Sequence, residues 1–217
     1  MFSQSMVELG QKRSTIREIF EYGKQRIAQI GAENVYDFSI GNPSVPAPES
    51  VRDAVIDILD TEGSVAAHGY TSAQGDAKVR ATLAEDLNRR FKTHFHADNF
   101  YLTVGAAAAL CSCFKALAEP GDEFIVIAPF FPEYQCFIER GADAKCVIVE
   151  ADTTAFQINF DKLYTAITPH TKAVVINSPN NPSGTVYSEE TIQKLASLLT
   201  KKSAMFGHPI FLISDEP

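Results

Sequence analysis

Residues 173–184 read AVVINSPNNPSG, and this stretch decides how the rest of the chain is interpreted. Its first four residues are apolar without polar alternation, which is typical of a strand that is buried on both faces of a parallel sheet. The eight residues that follow are asparagine, proline, serine and glycine, a composition that ends a strand and indicates a turn-rich loop. The stretch therefore predicts a buried strand, Ala173–Ile176, with the polar loop Asn177–Gly184 at its carboxyl end.

Four other short apolar runs share this pattern, and helical segments separate them. The five predicted strands are Tyr101–Val104, Phe124–Ala128, Ala144–Val149, Ala173–Ile176 and Ile210–Ile213. The helices predicted between them are Ala106–Leu117, Pro132–Arg140, Asp161–Ile167 and Glu189–Lys202, the last capped by Ser188 and ending in lysines that suit its dipole. This alternation is typical of an α/β fold with a mostly parallel sheet.

The chain before residue 92 follows a different pattern, in which helices are separated by a proline-rich segment. A first helix is predicted from Thr15, which forms a capping box with Glu18, to Gly31. Two more are predicted, one from Ser50 with an apolar core-facing stripe and one over Asp76–Phe91. Between the first two, a short extended run over residues 35–40 leads into prolines at 43, 46 and 48, which cannot form a helix or a central strand.

Composition and charge exclude several classes of protein. The chain has 217 residues, of which 45 % are hydrophobic and 21 % charged, as in ordinary globular proteins. The net charge of −8 argues against nucleic-acid binding, which needs clustered Lys and Arg, whereas the longest basic clusters here are pairs. No apolar stretch approaches the roughly 20 residues that span a bilayer, and residues 1–12 lack the apolar core of a signal peptide.

The four cysteines indicate reduced thiols and a cytoplasmic protein. They are too few and too irregularly spaced for a disulfide framework in a chain of this length. Cys111 and Cys113 lie two positions apart on a predicted helix, about 200° around its axis, so they face different ways and are not predicted to bind a metal.

Ligands of parallel α/β sheets bind outside the carboxyl ends of the strands, and the segments there have chemistry that suits a ligand. The first predicted strand leads into Gly105-Ala106-Ala107, a small-residue turn whose free N–H groups suit an anion such as phosphate. The second is followed by Phe130-Phe131, which can lie against a planar ring. The Asn177–Gly184 loop follows the fourth strand, and Ser214-Asp215-Glu216 follows the last.

Each of these features also has a structural interpretation. The alanines can simply pack on the sheet, a phenylalanine can belong to the core, and the Asn/Pro loop can be a surface turn. Asp215 favours a functional role more strongly, because it follows a buried apolar run and an unpaired buried carboxylate is costly. Four such features on one edge of the sheet together predict a ligand site.

In this order and spacing, the residues resemble the class I/II aminotransferases, pyridoxal-phosphate enzymes of fold type I, and most closely the aspartate aminotransferase-like branch. The matching motifs are Gly41-Asn42-Pro43, Tyr70 with Gly75, Gly105-Ala106-Ala107, Asn177–Gly184 and Ser214-Asp215-Glu216. The asparagine/proline run is the specific one. The resemblance extends over essentially the whole chain and implies a three-layer α/β fold and a homodimer. It also implies transfer of an amino group between an L-amino acid and a 2-oxo acid, with pyridoxal 5′-phosphate (PLP) as cofactor.

The resemblance also implies roles for the matched residues at the cofactor. The loop at Gly105, Ala106 and Ala107 would hold the cofactor phosphate through backbone N–H groups. Phe131 would stack on the pyridine ring, or Phe130 if the strand ended one residue early. Asp215 would pair with the protonated ring nitrogen, which keeps the ring an effective electron sink.

Asn181, Gly41 and Tyr70 receive the remaining roles from the resemblance. Asn181 would bond the 3-oxygen of the ring and orient the substrate carboxylate, with Asn181-Pro182 as a cis peptide. Gly41 would line the carboxylate pocket, and Tyr70 would reach the phosphate of the other subunit. The sequence departs from the family pattern at two places: residues 106–109 offer no hydroxyl, and Phe131 stands where Tyr or Trp is common in relatives. Both departures are expected to affect the affinity for the cofactor more than the reaction chemistry.

The resemblance places the Schiff-base lysine and the arginine that binds the substrate carboxylate beyond Pro217. None of the 11 lysines in the sequence is predicted to replace that lysine. Lys145 and Lys172 begin strands and so belong to the opposite edge of the sheet, and Lys115 lies well along a helix that leads away from the site. The others considered are predicted on solvated helix faces: Lys78, Lys92, Lys194, Lys201 and Lys202.

Two explanations of this expectation stay open. The chain is the N-terminal portion of a longer enzyme, with an arm and small-domain segment over residues 1–46 and an incomplete PLP-binding large domain over 47–217. The alternative is a non-catalytic fragment of the fold that binds phosphate ligands or a partner protein. Within the enzyme interpretation, aminotransferases, PLP-dependent carbon–sulfur lyases and aminocyclopropane-carboxylate synthases share these motifs.

Overall fold

The computed structural model describes residues 2–11, 15–41 and 45–216, and the chain divides into two compact units, Met1–Gly69 and Tyr70–Pro217. The described part of the first unit is helical. Its helices are α1 (Gln4–Gln11), α2 (Thr15–Ile30), α3 (Glu49–Thr61) and α4 (Ser64–His68), with a 3-10 turn at Ala32–Asn34. Asn42 and Pro43 of the Gly41-Asn42-Pro43 motif lie outside the described residues.

The ends of the first helices match the sequence signals in part. α2 ends before Gly31 as predicted, where a φ of +88° turns the chain and the Gly31 N–H donates to the Ile27 carbonyl at 3.0 Å. Thr15 already lies within α2, so it is not the N-cap that the predicted capping box requires. α3 begins at Glu49, one residue before Ser50, and its predicted core-facing stripe is largely exposed.

The second unit contains five α-helices, a 3-10 turn at Ala97–Asn99 and four strands within its described residues. The helices are α5 (Ala77–Phe91), α6 (Gly105–Leu117), α7 (Glu133–Cys136, continued by a π turn over Phe137–Gly141), α8 (Phe160–Ala166) and α9 (Glu189–Phe206). The strands are β1 (Glu123–Ala128), β2 (Lys145–Glu150), β3 (Thr171–Asn177) and β4 (Phe211–Asp215). No helix in the described part of the chain is long and apolar enough to cross a membrane.

The four strands form one parallel sheet in the order β2-β1-β3-β4, with helices on both faces. On one face, Ile125 and Val174 of the sheet pack with Leu163 of α8 and Leu195 of α9. On the other face, strand residues of opposite parity pack with helix side chains; this cluster includes Phe124, Val126, Val175, Leu110, Phe114, Tyr134 and Ile138. The predicted α/β class with a parallel sheet and three layers is therefore confirmed.

The predicted strand Tyr101–Val104 is wrong, so the sheet has four strands where five were expected. The Leu102 N–H of this segment donates to the carbonyl of Gln74, in a loop, at 3.0 Å. A strand is defined by a neighbour that completes its hydrogen bonds, and no strand in the described part of the chain lies beside this segment. The extended run predicted over residues 35–40 likewise forms no strand among the described residues.

The end of α9 also corrects the sequence analysis. Ser188 caps the helix as predicted, by accepting a hydrogen bond from the Thr191 N–H, but the helix continues to Phe206 before Gly207 ends it. Lys202 therefore lies inside the helix and not in its last turn. It is buried at 7 % exposure, and its Nζ lies 3.8 Å from the ring centroid of Tyr164. The predicted solvated position of Lys202 is wrong because an aromatic face from α8 covers its ammonium group.

A buried carboxylate organises the amino edge of the sheet. Glu123 Oε1 accepts from Lys145 Nζ at 2.8 Å, and Oε2 accepts from Thr168 Oγ1 at 2.7 Å. Burial raises the pKa of Glu123, but the hydrogen bonds from Lys145 and Thr168 outweigh burial and hold the pKa below its ordinary value. Lys172 pairs with Asp122 at 3.0 Å. Lys145 and Lys172 thus lie at the edge where the sequence placed them.

We expect Glu123→Gln to lower the free energy of unfolding by about 1–2 kcal/mol at neutral pH, because charge-assisted hydrogen bonds are lost. The folded-state pKa lies below the unfolded one, so the carboxylate stabilises the fold above the unfolded-state pKa. This contribution is lost as pH falls through the folded-state pKa. In urea unfolding, the difference between wild type and variant should shrink between neutral pH and about pH 3. The exposed Glu119→Gln serves as control, and a difference that stays constant with pH would contradict the prediction.

Candidate functional site

The candidate site is built where three parallel strands end at the same edge of the sheet. β1 ends at Ala128, β3 at Asn177 and β4 at Asp215, and the register of β3 with β4 pairs Asn177 directly with Asp215. The segments that the sequence analysis singled out follow β1 directly and overlap the last residues of β3 and β4, which run slightly further than predicted. The topology therefore brings the aromatic pair, the Asn/Pro loop and the acid to one edge.

The N-terminus of α6 points to this same edge. A short turn joins the end of α6 to the start of β1, and Phe114 near that helix end packs on Phe124 with ring centroids 5.4 Å apart. α6 has 13 residues, about 20 Å of helix, which is about the length of β1. The first turn of α6 therefore reaches the carboxyl edge of the sheet.

Three small residues begin α6. Gly105 has a φ of +82°, which only glycine adopts without strain, and Ala106 and Ala107 are exposed. Among the described residues, no side chain caps this helix end. The first N–H groups of a helix have no intrahelical acceptor, and the helix dipole adds positive potential to them. This end of α6 can therefore bind an anion.

Asp215 is held by a tyrosine that sequence reasoning missed. The hydroxyl of Tyr134, a residue only 2 % exposed, donates to Asp215 Oδ2. Burial raises the pKa of Tyr134 far above its ordinary value, and the Asp215 carboxylate raises it further. Tyr134 therefore keeps its proton and remains the donor, which leaves the carboxylate as the acceptor.

Two phenylalanines pack around this tyrosine. Phe130 lies parallel to the Tyr134 ring, with centroids 6.4 Å apart, and Phe131 meets it edge-on at 5.5 Å. β1 ends at Ala128, as the sequence predicted, so the condition that would make Phe130 the stacking residue is not met. The Tyr134 contacts thus link the aromatic pair to Asp215.

Asn177 links the acid to the Asn/Pro loop, and the sequence analysis gave it no separate role. This residue is 4 % exposed. Its Nδ2 donates to the backbone carbonyl of Asp215 at 2.8 Å, and its Oδ1 accepts from the N–H of Asn181 at 2.6 Å. One buried amide therefore fixes the end of β4 and the backbone of Asn181 relative to each other.

The loop is further fixed from within. Asn180 Oδ1 accepts from the N–H and the hydroxyl of Ser183, at 3.2 and 2.8 Å, and the Ser178 hydroxyl accepts from the Tyr187 N–H at 3.0 Å. The Asn181-Pro182 peptide is cis, as predicted, and so are Ser178-Pro179 and Ala128-Pro129. The Asn181 side chain is left exposed on a loop whose backbone is held at several points.

The structure brings together some of the predicted site residues and not others. Phe131, Asn181 and Asp215 are joined by the contacts of Tyr134 and Asn177. Tyr70 lies in the same unit, fully exposed at the start of the loop before α5. Gly41 is exposed and belongs to the first unit. Tyr134 had no signal in the sequence because its partner lies 81 positions away.

The chemistry of these groups fits pyridoxal phosphate. Helix N–H groups suit a phosphate dianion, and an aromatic face suits a flat ring. A carboxylate suits a protonated ring nitrogen, and an amide suits a ring oxygen. Ala106, Phe131, Asp215 and Asn181 provide these four kinds of group at one edge of the sheet.

Comparison with known proteins agrees with this chemistry. Residues 33–215 match the family described as aminotransferase class I and II. Among curated relatives, an aspartate aminotransferase of Thermotoga maritima is 33 % identical over 85 % of this chain and 46 % of its own. An aspartate/prephenate aminotransferase of Thermus thermophilus is 35 % identical over 81 % of this chain and 43 % of its own. The chain thus spans about half the length of the curated relatives that it matches.

Solved structures show the same fold over the whole chain. An amino transferase from Eubacterium rectale superposes with a TM-score of 0.96 at 59 % identity, over 100 % of this chain and 55 % of its own. An aspartate aminotransferase from Thermus thermophilus, solved with maleate, gives a TM-score of 0.81 at 30 % identity, over 100 % of this chain and 53 % of its own. From its strand order, the groups at the carboxyl edge and these matches, the chain belongs to the PLP-dependent class I and II aminotransferase family.

Proposed function

We propose that the protein containing these residues is an aspartate aminotransferase-like enzyme that moves an amino group between an L-amino acid and a 2-oxo acid. The observation that carries the proposal is Asp215, an acid at the carboxyl end of β4 whose carboxylate accepts from Tyr134 and whose backbone is held by Asn177. Family membership supplies the reaction class. The chain spans about half of its relatives, so we expect the remaining groups that the reaction needs, the Schiff-base lysine among them, in the part it does not span.

The described residues would hold the cofactor from several sides. The amides of Ala106 and Ala107 at the start of α6 would bind its phosphate, and Phe131 would cover one face of its ring. Asp215 would pair with the ring nitrogen, and Asn181 with the 3-oxygen. When bound, the cofactor supplies an electron sink for the electron pair released at the substrate Cα.

Tyr134 and Asn177 would act by orientation. Tyr134 keeps its proton at Oη and donates it in a hydrogen bond to Asp215 Oδ2. This bond would orient the carboxylate and leave Oδ1 for the ring nitrogen. Asn177 holds the backbone of Asn181, whose exposed side chain would then be available to the ligand. Fixing donor and acceptor positions before the ligand binds lowers the cost of ordering them during the reaction.

The assignments for Tyr70 and Gly41 rest on the family resemblance. We propose that Tyr70 reaches the cofactor phosphate of the other subunit of a homodimer, which is compatible with its full exposure. Gly41 and Asn181 would bind the substrate carboxylate. The domain boundary near residue 46 remains a prediction, and the four free cysteines support a cytoplasmic location.

Screening amino donors with the purified, PLP-loaded protein tests the proposal. We expect at least one L-amino acid to transfer its amino group to a 2-oxo acid, with amino-acid product detected by mass spectrometry. Transfer should stop when PLP is removed and return when it is added back. Tight PLP binding with no transfer from any donor would contradict aminotransferase activity, and release of ammonia or a thiol in its place would indicate a lyase.

A further inference from the structure

Arg80 is a buried arginine whose hydrogen bonds go mainly to backbone carbonyls. It lies on α5, is 6 % exposed, and donates from Nε to the Gly75 carbonyl at 3.3 Å and from Nη1 to the Ala97 carbonyl at 2.8 Å. Its carboxylate neighbour, Asp98, is 3.4 Å away and its side chain is 93 % exposed, so this ion pair contributes little. Arginine is rarely buried without paired groups, so Arg80 primarily joins two backbone segments.

The first of these segments is the loop of residues 70–75, which begins at Tyr70. The Ser72 hydroxyl donates to the Gly75 carbonyl at 2.5 Å, and the Gly75 N–H donates to the Ser72 carbonyl at 2.8 Å. Gly75 has a φ of +91°. Arg80 and Ser72 therefore donate to the same carbonyl and hold the loop in a tight turn.

The second segment, residues 97–104, leads directly into Gly105 at the start of α6. It touches the first segment as well as Arg80. The Leu102 N–H donates to the Gln74 carbonyl at 3.0 Å, and a Cβ placed on Gly75 would lie only 2.6 Å from the Leu102 side chain. The two segments are thus packed so closely that moving one displaces the other.

We propose that Arg80 is a positioning residue for the cofactor phosphate. Arg80 donates to the carbonyls of both Gly75 and Ala97 and so fixes the segment of residues 97–104. Because this segment leads into Gly105, its position determines where the first amides of α6 lie. Arg80 also fixes the loop that carries Tyr70. The inference rests on the proposed function, because it needs the α6 N-terminus to bind the phosphate. The guanidinium acts through backbone carbonyls and needs no contact with the ligand.

The test compares the affinity for PLP with that for pyridoxal, the same ring without the phosphate. In Arg80→Met we expect the dissociation constant for PLP to rise roughly tenfold, because the hydrogen bonds to the Gly75 and Ala97 carbonyls are lost, while that for pyridoxal changes by less than about twofold. Arg80→Lys, which satisfies one carbonyl at a time, should give an intermediate loss. Arg89→Met, an exposed arginine on the same helix, is the matched control and should change neither constant.

A second variant keeps the test decisive if Arg80→Met does not fold. Ser72→Ala removes the other donor to the Gly75 carbonyl, so it should weaken PLP binding by roughly threefold, again without affecting pyridoxal. Equal losses for both ligands would mean a general structural role and would overturn the proposal, as would unchanged PLP affinity in folded variants. If the wild-type protein binds PLP no more tightly than pyridoxal, the proposed phosphate site itself fails.

Discussion

Asp215→Ala is expected to lower kcat/KM about 10²–10³-fold, the loss typical of removing one preorganised electrostatic partner from a reacting group. Asp215 is the acid that the strand register and the Tyr134 hydrogen bond place at the edge of the sheet. Under the proposed function, the ring nitrogen of the cofactor would then have no anion to keep it protonated, and the ring would withdraw electrons less strongly. Steady-state kinetics with saturating PLP measures the effect, and a PLP titration shows how much of it is lost affinity.

Two further variants separate charge from orientation at this acid. Asp215→Asn keeps the size and an oxygen that accepts from Tyr134, but it loses the negative charge, so we expect nearly the full loss. Tyr134→Phe keeps the charge but removes the hydroxyl that aims it, and should cost about tenfold, mainly in kcat. Wild-type kcat/KM in Asp215→Asn would show that the carboxylate does not pair with the ring nitrogen.

The parallel sheet could be predicted from sequence because its signals are local. Apolar runs such as Phe124–Ala128 predict strands that are buried on both faces, and the structure has a buried strand there. Tyr101–Val104 is also largely apolar, yet a segment forms a strand only where a neighbouring strand completes its hydrogen bonds. The local sequence pattern does not indicate whether such a neighbour is present. Lys202 was misplaced for a related reason, since the ring that covers it belongs to α8.

In the candidate site, too, some residues could be predicted from the sequence and others could not. Its strand-end groups, Asn181 and Asp215 among them, could be located because parallel strands present their carboxyl ends at one edge. Tyr134 and Asn177 could not be assigned roles, since each works through a partner brought close by the fold. Arg80 is a similar case, with an acceptor 17 positions away at Ala97. Sequence thus locates candidate ligand-binding groups at strand ends more readily than the buried groups that contact them.

Ala106→Asp should have opposite effects on ligand binding and on folding. A carboxylate in the first turn of α6 interacts favourably with the helix dipole, so the protein without cofactor should gain about 0.3–1 kcal/mol in stability. The same charge occupies the region where the phosphate would bind, and we expect PLP affinity to fall about 100-fold through like-charge repulsion and the loss of free N–H groups. Thermal unfolding without PLP and a PLP titration measure the two effects.

Ala106→Ser is the matched control for this position. Serine also suits the first turn of a helix but brings a neutral hydroxyl, which can donate to an anion where residues 106–109 offer only backbone N–H groups. We expect it to tighten PLP binding by about threefold to tenfold, with pyridoxal unchanged. If both substitutions weakened PLP binding to the same extent, the cause would be the size of the new side chain and not its charge. If neither substitution changed PLP affinity, the phosphate would have to bind away from the amides of α6.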